Sequence, residues 1–136
     1  LGICLGMQLL ADESEEKGNH EGLGLIPGRI RHIPAGHGRV PHVGWNRVSP
    51  QNDSSHYPRQ NDYFYFDHGY HFECNAEFIS GIFHYPSAMT ASVCKNHIEG
   101  TQFHPEKSGK AGLLFLRKFM ESSEIKTIDG GLSHYA

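Results

Sequence analysis

The chain has 136 residues, of which 38% are hydrophobic, and a formal net charge of −3, which suits a single domain with one hydrophobic core. The near-neutral charge and the absence of a basic run give no indication of binding to nucleic acid or to an anionic membrane surface. No apolar stretch approaches the roughly 20 residues of a membrane span, and three widely spaced cysteines do not form a disulfide framework. The composition therefore predicts a cytoplasmic protein.

The first eight residues place Cys4 between Gly2 and Gly6. This spacing predicts a sharp strand-to-helix turn, in which both glycines remove Cβ atoms that would clash and the cysteine lies at the apex. The amino terminus of the following helix would lower the pKa of the thiol and favour a thiolate nucleophile. The alternative is that Cys4 ends a buried strand as a small hydrophobic side chain.

A helix is predicted over 5–17, with Leu5, Leu9 and Leu10 facing inward and Gly18 ending it. Gln8 lies one helical turn after Cys4. It would therefore either contact a ligand held at the thiol or be an ordinary exposed glutamine.

The middle of the chain alternates strands and turns. The sequence predicts two strands within 22–33, a loop over 34–38 and a strand over 39–48. The polar segment over 49–62 is either a surface loop or an excursion that contacts a partner. Trp45, the only tryptophan, either fills the core or anchors an interface.

The second half of the chain begins with an aromatic strand over 63–66 that we expect to be covered on both faces. Antiparallel strands follow over 78–100. An amphipathic helix is predicted over 109–122 with Leu113, Leu116 and Met120 on one side, and a frayed tail over 124–136.

Between these strands and the last helix, Pro105 separates His104 from Glu106. In an extended chain residues at i and i+2 share a face, so Glu106 would accept a hydrogen bond from one imidazole nitrogen and leave the other for a nucleophile. With Cys4, this motif predicts a Cys–His–Glu triad. Taken alone, His104 and Glu106 would fit a solvated turn.

Eleven histidines raise the question of a metal site, but their spacings match no zinc pattern, and we expect no metal. His68 is expected to bond a backbone carbonyl. Cys74 and Cys94 lack a glycine elbow and are expected to be buried and inert.

The motif Gly2-x-Cys4-x-Gly6-x-Gln8, with the distal His104-Pro105-Glu106, resembles the class I (triad) glutamine amidotransferases over nearly the whole chain. Segments 41–46, 64–70 and 102–108 are most similar to the glutaminase subunits of imidazole glycerol phosphate synthases. The resemblance implies a three-layer, flavodoxin-like α/β domain with a mixed central sheet whose first strands are missing. The domain would cover 1–122 and the tail 123–136.

The resemblance also implies a function in histidine biosynthesis. Cys4, His104 and Glu106 would hydrolyse glutamine without a cofactor, and the ammonia would pass to a cyclase, a β/α barrel, that makes imidazole glycerol phosphate and an aminoimidazole carboxamide ribotide. The site residues it implies are Gln8, Gly69 and Tyr70 on the substrate, the Leu5 N–H on the oxyanion, and Trp45 and Asn46 at the cyclase interface. The family usually has a hydroxyl residue where Gly69 stands. Glycine here would weaken substrate binding if that side chain matters, and would be tolerated if main-chain groups hold the substrate.

Three alternatives remain open at this point. The same triad could serve another synthase, such as one that amidates a sugar. The chain could be a non-catalytic binding subunit in which Cys4 is structural. It could also be a γ-glutamyl hydrolase that acts without a partner.

Overall fold

The computed structural model describes residues 1–36, 38–52 and 56–129. The strands, in chain order, are β1 (Gly2–Ile3), β2 (Glu13–Ser14), β3 (His20–Glu21), β4 (Arg29–His32), β5 (His42–Arg47), β6 (Ser49–Pro50), β7 (Tyr63–His68), β8 (Tyr70–Glu73), β9 (Ile79–His84), β10 (Ala88–Lys95) and β11 (Ile98–Thr101). The helices are α1 (Leu5–Gln8) and α2 (Gly109–Asp129), with 3₁₀ turns at Ala76–Phe78 and Pro105–Lys107.

The largest sheet has the strand order β1-β11-β10-β9-β6. β1 pairs with β11 in parallel, with Gly2 opposite Gly100, and the remaining neighbours pair antiparallel. The α/β class with a mixed central sheet and the antiparallel strands predicted over 78–100 are thus confirmed. Because β1 and β11 run in the same direction, the segments that carry Cys4 and His104 leave the sheet at the same edge.

Two smaller sheets complete the described part of the chain. One has the order β3-β2-β4-β8, and the other is the antiparallel pair β5–β7. An aromatic cluster packs β7 against the central sheet and α2, with Phe64, Phe66, Phe83, Phe103 and Phe115 fully buried. A second cluster, which includes Met7, Ile30 and Phe72, joins α1 to the β4–β8 pair.

The helix predicted over 5–17 is wrong beyond its first turn. α1 ends at Gln8, and Leu5 and Leu9 are exposed while Leu10 is buried. The acidic residues that resembled a solvated helix face instead lie in β2 and directly after it, beside β4, where Arg29 contacts Glu13 at 3.0 Å and Arg31 contacts Glu15 at 3.2 Å. These pairs form between strands, which helical periodicity does not anticipate.

Three predictions for the middle of the chain need correction. Within 22–33 only β4 forms, and Leu23 and Leu25 lie exposed in irregular chain. The 49–62 segment contains β6 and the buried Tyr57, whose hydroxyl bonds Ser92, although residues 53–55 lie outside the described residues. The strands predicted over 39–48 and 63–66 are confirmed as β5 and β7, but β7 buries only alternate residues and leaves Tyr63 exposed.

The last helix is longer than predicted and faces differently. α2 continues to Asp129, so the prediction of a frayed tail is wrong over 124–129. The rest of the predicted tail, 130–136, lies outside the described residues. Leu113 and Met120, which we expected on the buried side, are exposed, because the helix packs through Phe115 and Ala111. Neither α-helix of the described chain is both long and apolar enough to cross a bilayer.

Candidate active site

Cys4 lies at a sharp turn between β1 and α1. Its φ of 53° and ψ of −105° are a strained combination for a residue with a side chain, as the nucleophile elbow requires. The Cys4 N–H donates to the Thr101 carbonyl at 2.7 Å, which fixes the elbow to the end of β11. A Cβ on Gly2 would lie 2.5 Å from the Gly6 carbonyl oxygen, so glycine at position 2 allows α1 to pass against β1.

The same argument fails for Gly6. A Cβ built there meets no described atom within 4 Å, so the predicted clash at this second glycine is wrong for the described residues. Glycine is required instead at Gly100 of β11, where a Cβ would lie 2.6 Å from Met7. Close packing of α1 on the sheet therefore depends on Gly2 and Gly100.

His104 follows β11, and its Nδ1 lies 3.1 Å from Oε2 of Glu106. Glu106 reaches the ring from the 3₁₀ turn Pro105–Lys107 rather than from extended chain, which corrects the geometric reason for the pairing. The His104 N–H donates to the Tyr65 carbonyl at 2.9 Å, and the Ser108 hydroxyl donates to the His104 carbonyl at 2.6 Å. Since the Tyr65 N–H donates in turn to Ser108 Oγ, the whole turn is held against β7.

The ends of β1, β7 and β11 converge on the thiol. Cys4 Sγ donates to the Asp67 carbonyl at 3.8 Å and accepts from Gln102 Nε2 at 3.8 Å. The Glu106 carboxylate is near enough to act on the thiol electrostatically. No hydrogen bond joins Cys4 to His104 within the residues described, and the imidazole Nε2 bonds none of them. Cys4, His104 and Glu106 thus lie at one edge of the sheet, without a hydrogen bond between the sulfur and the imidazole among the described residues.

The electrostatics of the thiol differ from the sequence-based expectation. Burial is the main cause that raises the pKa of Cys4, and the Asp67 and Glu106 carboxylates raise it further. Hydrogen bonds from the Leu5 N–H and the Gln102 amide lower the pKa but do not offset the rise. A four-residue α1 contributes little dipole compared with a long helix, so the predicted lowering of the thiol pKa is wrong for this structure.

A cavity of about 300 Å³ opens beside the elbow. Its lining includes all five residues predicted to hold the nucleophile, the oxyanion or the substrate: Cys4, Leu5, Gln8, Gly69 and Tyr70. A Cβ on Gly69 would meet only Val40 at 3.8 Å, so there is room for the hydroxyl residue usual in the resembled family. His104 and Glu106 lie outside this lining.

Gln8 is turned inward rather than exposed. Its Nε2 donates to the Tyr70 carbonyl at 3.4 Å and to Gln102 Oε1 at 3.3 Å. Its Oε1 accepts no hydrogen bond from the described residues and remains available to a ligand in the cavity.

The two residues predicted at an interface lie on β5. Trp45 is 56% exposed and forms an edge contact with Tyr65, its partner in the β5–β7 register. Asn46 is partly buried, and its Nδ2 donates to the His84 carbonyl at 3.0 Å. With Val43 and Tyr63 also exposed, β5 and β7 present several apolar side chains to solvent beside the charged Arg47 and Asp67.

The sequence model of the family described as "Glutamine amidotransferase class-I" matches residues 1–122. The chain belongs to this family. Its fold is therefore that of the class I amidotransferases, which is flavodoxin-like. A solved glutamine amidotransferase from Thermotoga maritima is similar in fold, with a TM-score of 0.56 and 16% identity over 97% of this chain and 49% of the other.

Relatives of this class I amidotransferase chain include proteins named imidazole glycerol phosphate synthase subunit HisH. The one from Methanothermobacter thermautotrophicus is 47% identical over 122 residues, which cover 89% of this chain and 61% of the relative. The one named HisH 2 from Vibrio vulnificus is 43% identical over 98% of this chain and 63% of the relative. The chain thus spans about three fifths of the length of these relatives.

A histidine pair lies behind the cavity of this amidotransferase chain. His42 Nδ1 lies 2.9 Å from His68 Nε2, and His68 Nδ1 lies 2.8 Å from the Tyr70 carbonyl, so the predicted carbonyl bond of His68 is confirmed. Burial lowers the pKa of His42 to about 4 and is also the main cause that lowers the pKa of His68 to about 4. Both rings are therefore neutral at pH 7.

This pair should make the fold sensitive to mild acid. Because the pKa of each buried histidine is lower folded than unfolded, the unfolded chain takes up more protons below about pH 6.5, and stability falls as pH drops from there towards 4. We expect the free energy of unfolding, measured with urea, to fall by up to about 2 kcal/mol per histidine between pH 7.5 and pH 5.

The matched variant is His68→Gln, because glutamine can still donate to the Tyr70 carbonyl and accept from His42. It should remove about half of this pH-dependent loss. The exposed His97→Gln serves as control and should retain all of it. Equal pH dependence in the two variants would contradict the assignment.

The remaining cysteines and the histidines form no further site in the part of the chain described. Cys74 and Cys94 form no disulfide and are of intermediate exposure, so the expectation that they are buried is wrong. Within residues 1–36, 38–52 and 56–129, no three His, Cys, Asp or Glu side chains are grouped as metal ligands would be.

Sequence reasoning missed several residues that shape the site. Ser108 bonds His104 and the Asp67 carbonyl bonds Cys4, while His42 bonds His68 at the cavity, and spacing along the chain does not reveal these contacts. Gln102 could have been found, since it lies two residues before His104, where side chains of a near-extended segment share a face.

Proposed function

We propose that this chain is the glutaminase part of an imidazole glycerol phosphate synthase, hydrolysing glutamine to glutamate and ammonia in the cytoplasm. The observation that carries the proposal is the hydrogen-bonded His104–Glu106 pair at the sheet edge where a strained elbow points Cys4 at a cavity. The relatives named imidazole glycerol phosphate synthase subunit HisH are the reason for proposing this synthase, and three cysteines that form no disulfide suit a reducing compartment.

In the first half of the reaction, the Cys4 thiolate attacks the side-chain carbonyl carbon of glutamine. The Leu5 N–H, directly after the nucleophile, faces the oxyanion that forms. His104 donates a proton to the departing nitrogen, and ammonia leaves a γ-glutamyl thioester on Cys4. Since the pKa of the thiol is raised, forming the thiolate depends on proton transfer to a base such as His104 once substrate fills the cavity.

In the second half, His104 removes a proton from water, which attacks the thioester carbonyl. The thioester bond breaks, glutamate leaves and the thiol is restored. Glu106 accepts from Nδ1–H throughout, which keeps Nε2 as the nitrogen that exchanges protons with substrate. Gln8 Oε1 and the backbone at Gly69 and Tyr70 hold the amino-acid end of glutamine.

Ammonia released into neutral water becomes ammonium and loses its nucleophilic lone pair. A glutaminase that feeds a biosynthetic step therefore benefits from a partner that receives ammonia through a closed path. We place that partner, a β/α-barrel cyclase, on the exposed face of β5 and β7 around Trp45, with Asn46 beside it. Exposed aromatic side chains of this kind are frequent anchors of protein interfaces.

The test combines the chain with the cyclase subunit of the same organism. Glutamine should support formation of imidazole glycerol phosphate only when both are present, and adding the cyclase should accelerate glutamate release about tenfold or more. An ammonium salt should replace both glutamine and the chain, which controls for cyclase activity. Full-speed hydrolysis by the chain alone, with no gain from the cyclase, would contradict the proposal.

A further inference from the structure

Gln102 is a fully buried glutamine whose amide lies between Gln8 and the sulfur of Cys4. Its Oε1 accepts from Gln8 Nε2 at 3.3 Å, and its Nε2 donates to Cys4 Sγ at 3.8 Å. The backbone holds it firmly, since its N–H donates to the Ala91 carbonyl at 2.7 Å. A fully buried amide with both ends engaged has a defined orientation.

The orientation of this amide follows from one backbone group. The Tyr70 carbonyl can only accept, so the atom of Gln8 that faces it must be Nε2. The same Nε2 also faces Gln102, which must therefore present Oε1 to Gln8. The remaining end of Gln102, its Nε2, then necessarily points at Cys4 Sγ.

The Tyr70 carbonyl is itself fixed from the opposite side. His68 Nδ1 donates to it at 2.8 Å, which leaves His68 Nε2 to accept from His42 Nδ1 at 2.9 Å. Both lone pairs of the carbonyl are thus occupied, one by His68 and the other by Gln8. A continuous chain of hydrogen bonds therefore runs from His42 of β5 to Gln102, whose Nε2 is the donor to the sulfur.

We propose that Gln102 is a positioning residue that donates a hydrogen bond to the Cys4 thiolate and holds the sulfur towards the cavity. This inference rests on the proposed function for its purpose, although the hydrogen bond exists independently of it. The Asp67 carbonyl accepts from the thiol, so it stabilises the protonated form and opposes the anion. Gln102 is the buried side chain that favours the anion, because a donor binds a charged acceptor more strongly than a neutral one.

The other ionisable side chains around the sulfur come from several elements. Asp67 at the end of β7 and Glu106 in the 3₁₀ turn raise the pKa of Cys4, and Glu16 and His68 line the same cavity. His104 lies beside Glu106. The Asp67 and Glu106 carboxylates disfavour a thiolate, so the Gln102 donor acts against them.

The test measures the rate of Cys4 alkylation by iodoacetamide from about pH 6 to about pH 11 in the 136-residue chain. Gln102→Glu keeps the shape but presents a carboxylate to the sulfur, so the midpoint should rise by about one pH unit or more, and alkylation below the midpoint should slow about tenfold. Gln102→Met removes both the donor to the sulfur and the acceptor for Gln8 but adds no charge, so it should shift the midpoint in the same direction by less. The exposed Gln60→Glu is the matched control and should leave the midpoint unchanged.

A merely structural role would lower thermal stability without moving the midpoint, so unchanged midpoints in both Gln102 variants would overturn the proposal. If the variants do not fold, wild-type NMR decides. The Gln102 side-chain amide resonances should titrate with the Cys4 alkylation midpoint, and their failure to do so would overturn it. An inactive glutaminase with these shifts present would refute the proposed function and leave this inference standing.

Discussion

The Cys4→Ala variant should form no covalent adduct with an electrophilic glutamine analogue and should lose glutamine turnover by about 10⁴-fold or more. The Cys4 thiol is the strongest nucleophile among the five predicted residues that line the cavity, and an alanine at this position cannot form the covalent intermediate. Cysteine and alanine both carry a Cβ, so the substitution removes the sulfur without changing the backbone strain at position 4. Mass spectrometry of the labelled chain and an assay for glutamate measure the two losses.

The matched control is Cys74→Ala. Burial raises the pKa of the Cys74 thiol to about 11, and this residue lies away from the elbow cavity. The variant should be labelled as fast as the parent chain. An adduct that persists in Cys4→Ala, or is lost in Cys74→Ala, would support the non-catalytic alternative for Cys4.

The Glu106→Gln variant should slow glutamine turnover by about 10² to 10⁴-fold. The carboxylate accepts from His104 Nδ1 at 3.1 Å and stabilises the imidazolium that forms when the ring takes a proton. Glutamine at this position keeps the shape but removes the charge. As the Glu106 side chain is about half exposed, solvent screens it, so the loss should lie nearer the lower figure.

The same substitution should have the opposite effect on the thiol. The Glu106 carboxylate raises the pKa of Cys4, so its removal should lower that pKa and speed alkylation of Cys4 by iodoacetamide near neutral pH. Faster alkylation with slower turnover identifies an effect through His104 rather than a general disruption. The exposed Glu77→Gln should change neither rate. A parallel loss of both rates in Glu106→Gln would contradict the assigned role.

Much of the candidate site could be anticipated from short-range patterns. The glycine before Cys4 and the proline between His104 and Glu106 act within a few residues, and the structure contains both the elbow and the His104–Glu106 hydrogen bond. The sign of the pKa shift at Cys4 could not be anticipated. It depends on burial and on the Asp67 carboxylate, which reaches the sulfur from a strand far away in sequence.

The strands β9, β10 and β11 of the central sheet were predictable because their apolar runs and turn residues are local signals. The length of the helix after the elbow was not predictable, because the acidic side chains in and directly after β2 form ion pairs with the arginines of β4. Leu113 and Met120 show the same limit on α2, since periodicity identifies an apolar face without saying what covers it. Tyr57 was missed because its polar neighbours in sequence concealed a ring that packs on Phe64.

The parallel pairing of β1 with β11 also governs when the site can exist during synthesis. Cys4 and Gln102 are 98 positions apart in the chain. Closing so long a loop costs conformational entropy, which favourable contacts offset only when β11 pairs with β1. When the ribosome has synthesised the elbow, Gln102, His104 and Glu106 have therefore not yet been synthesised. Cys4 can therefore meet Gln102, His104 and Glu106 only after the chain has been synthesised as far as β11 and the turn that follows it.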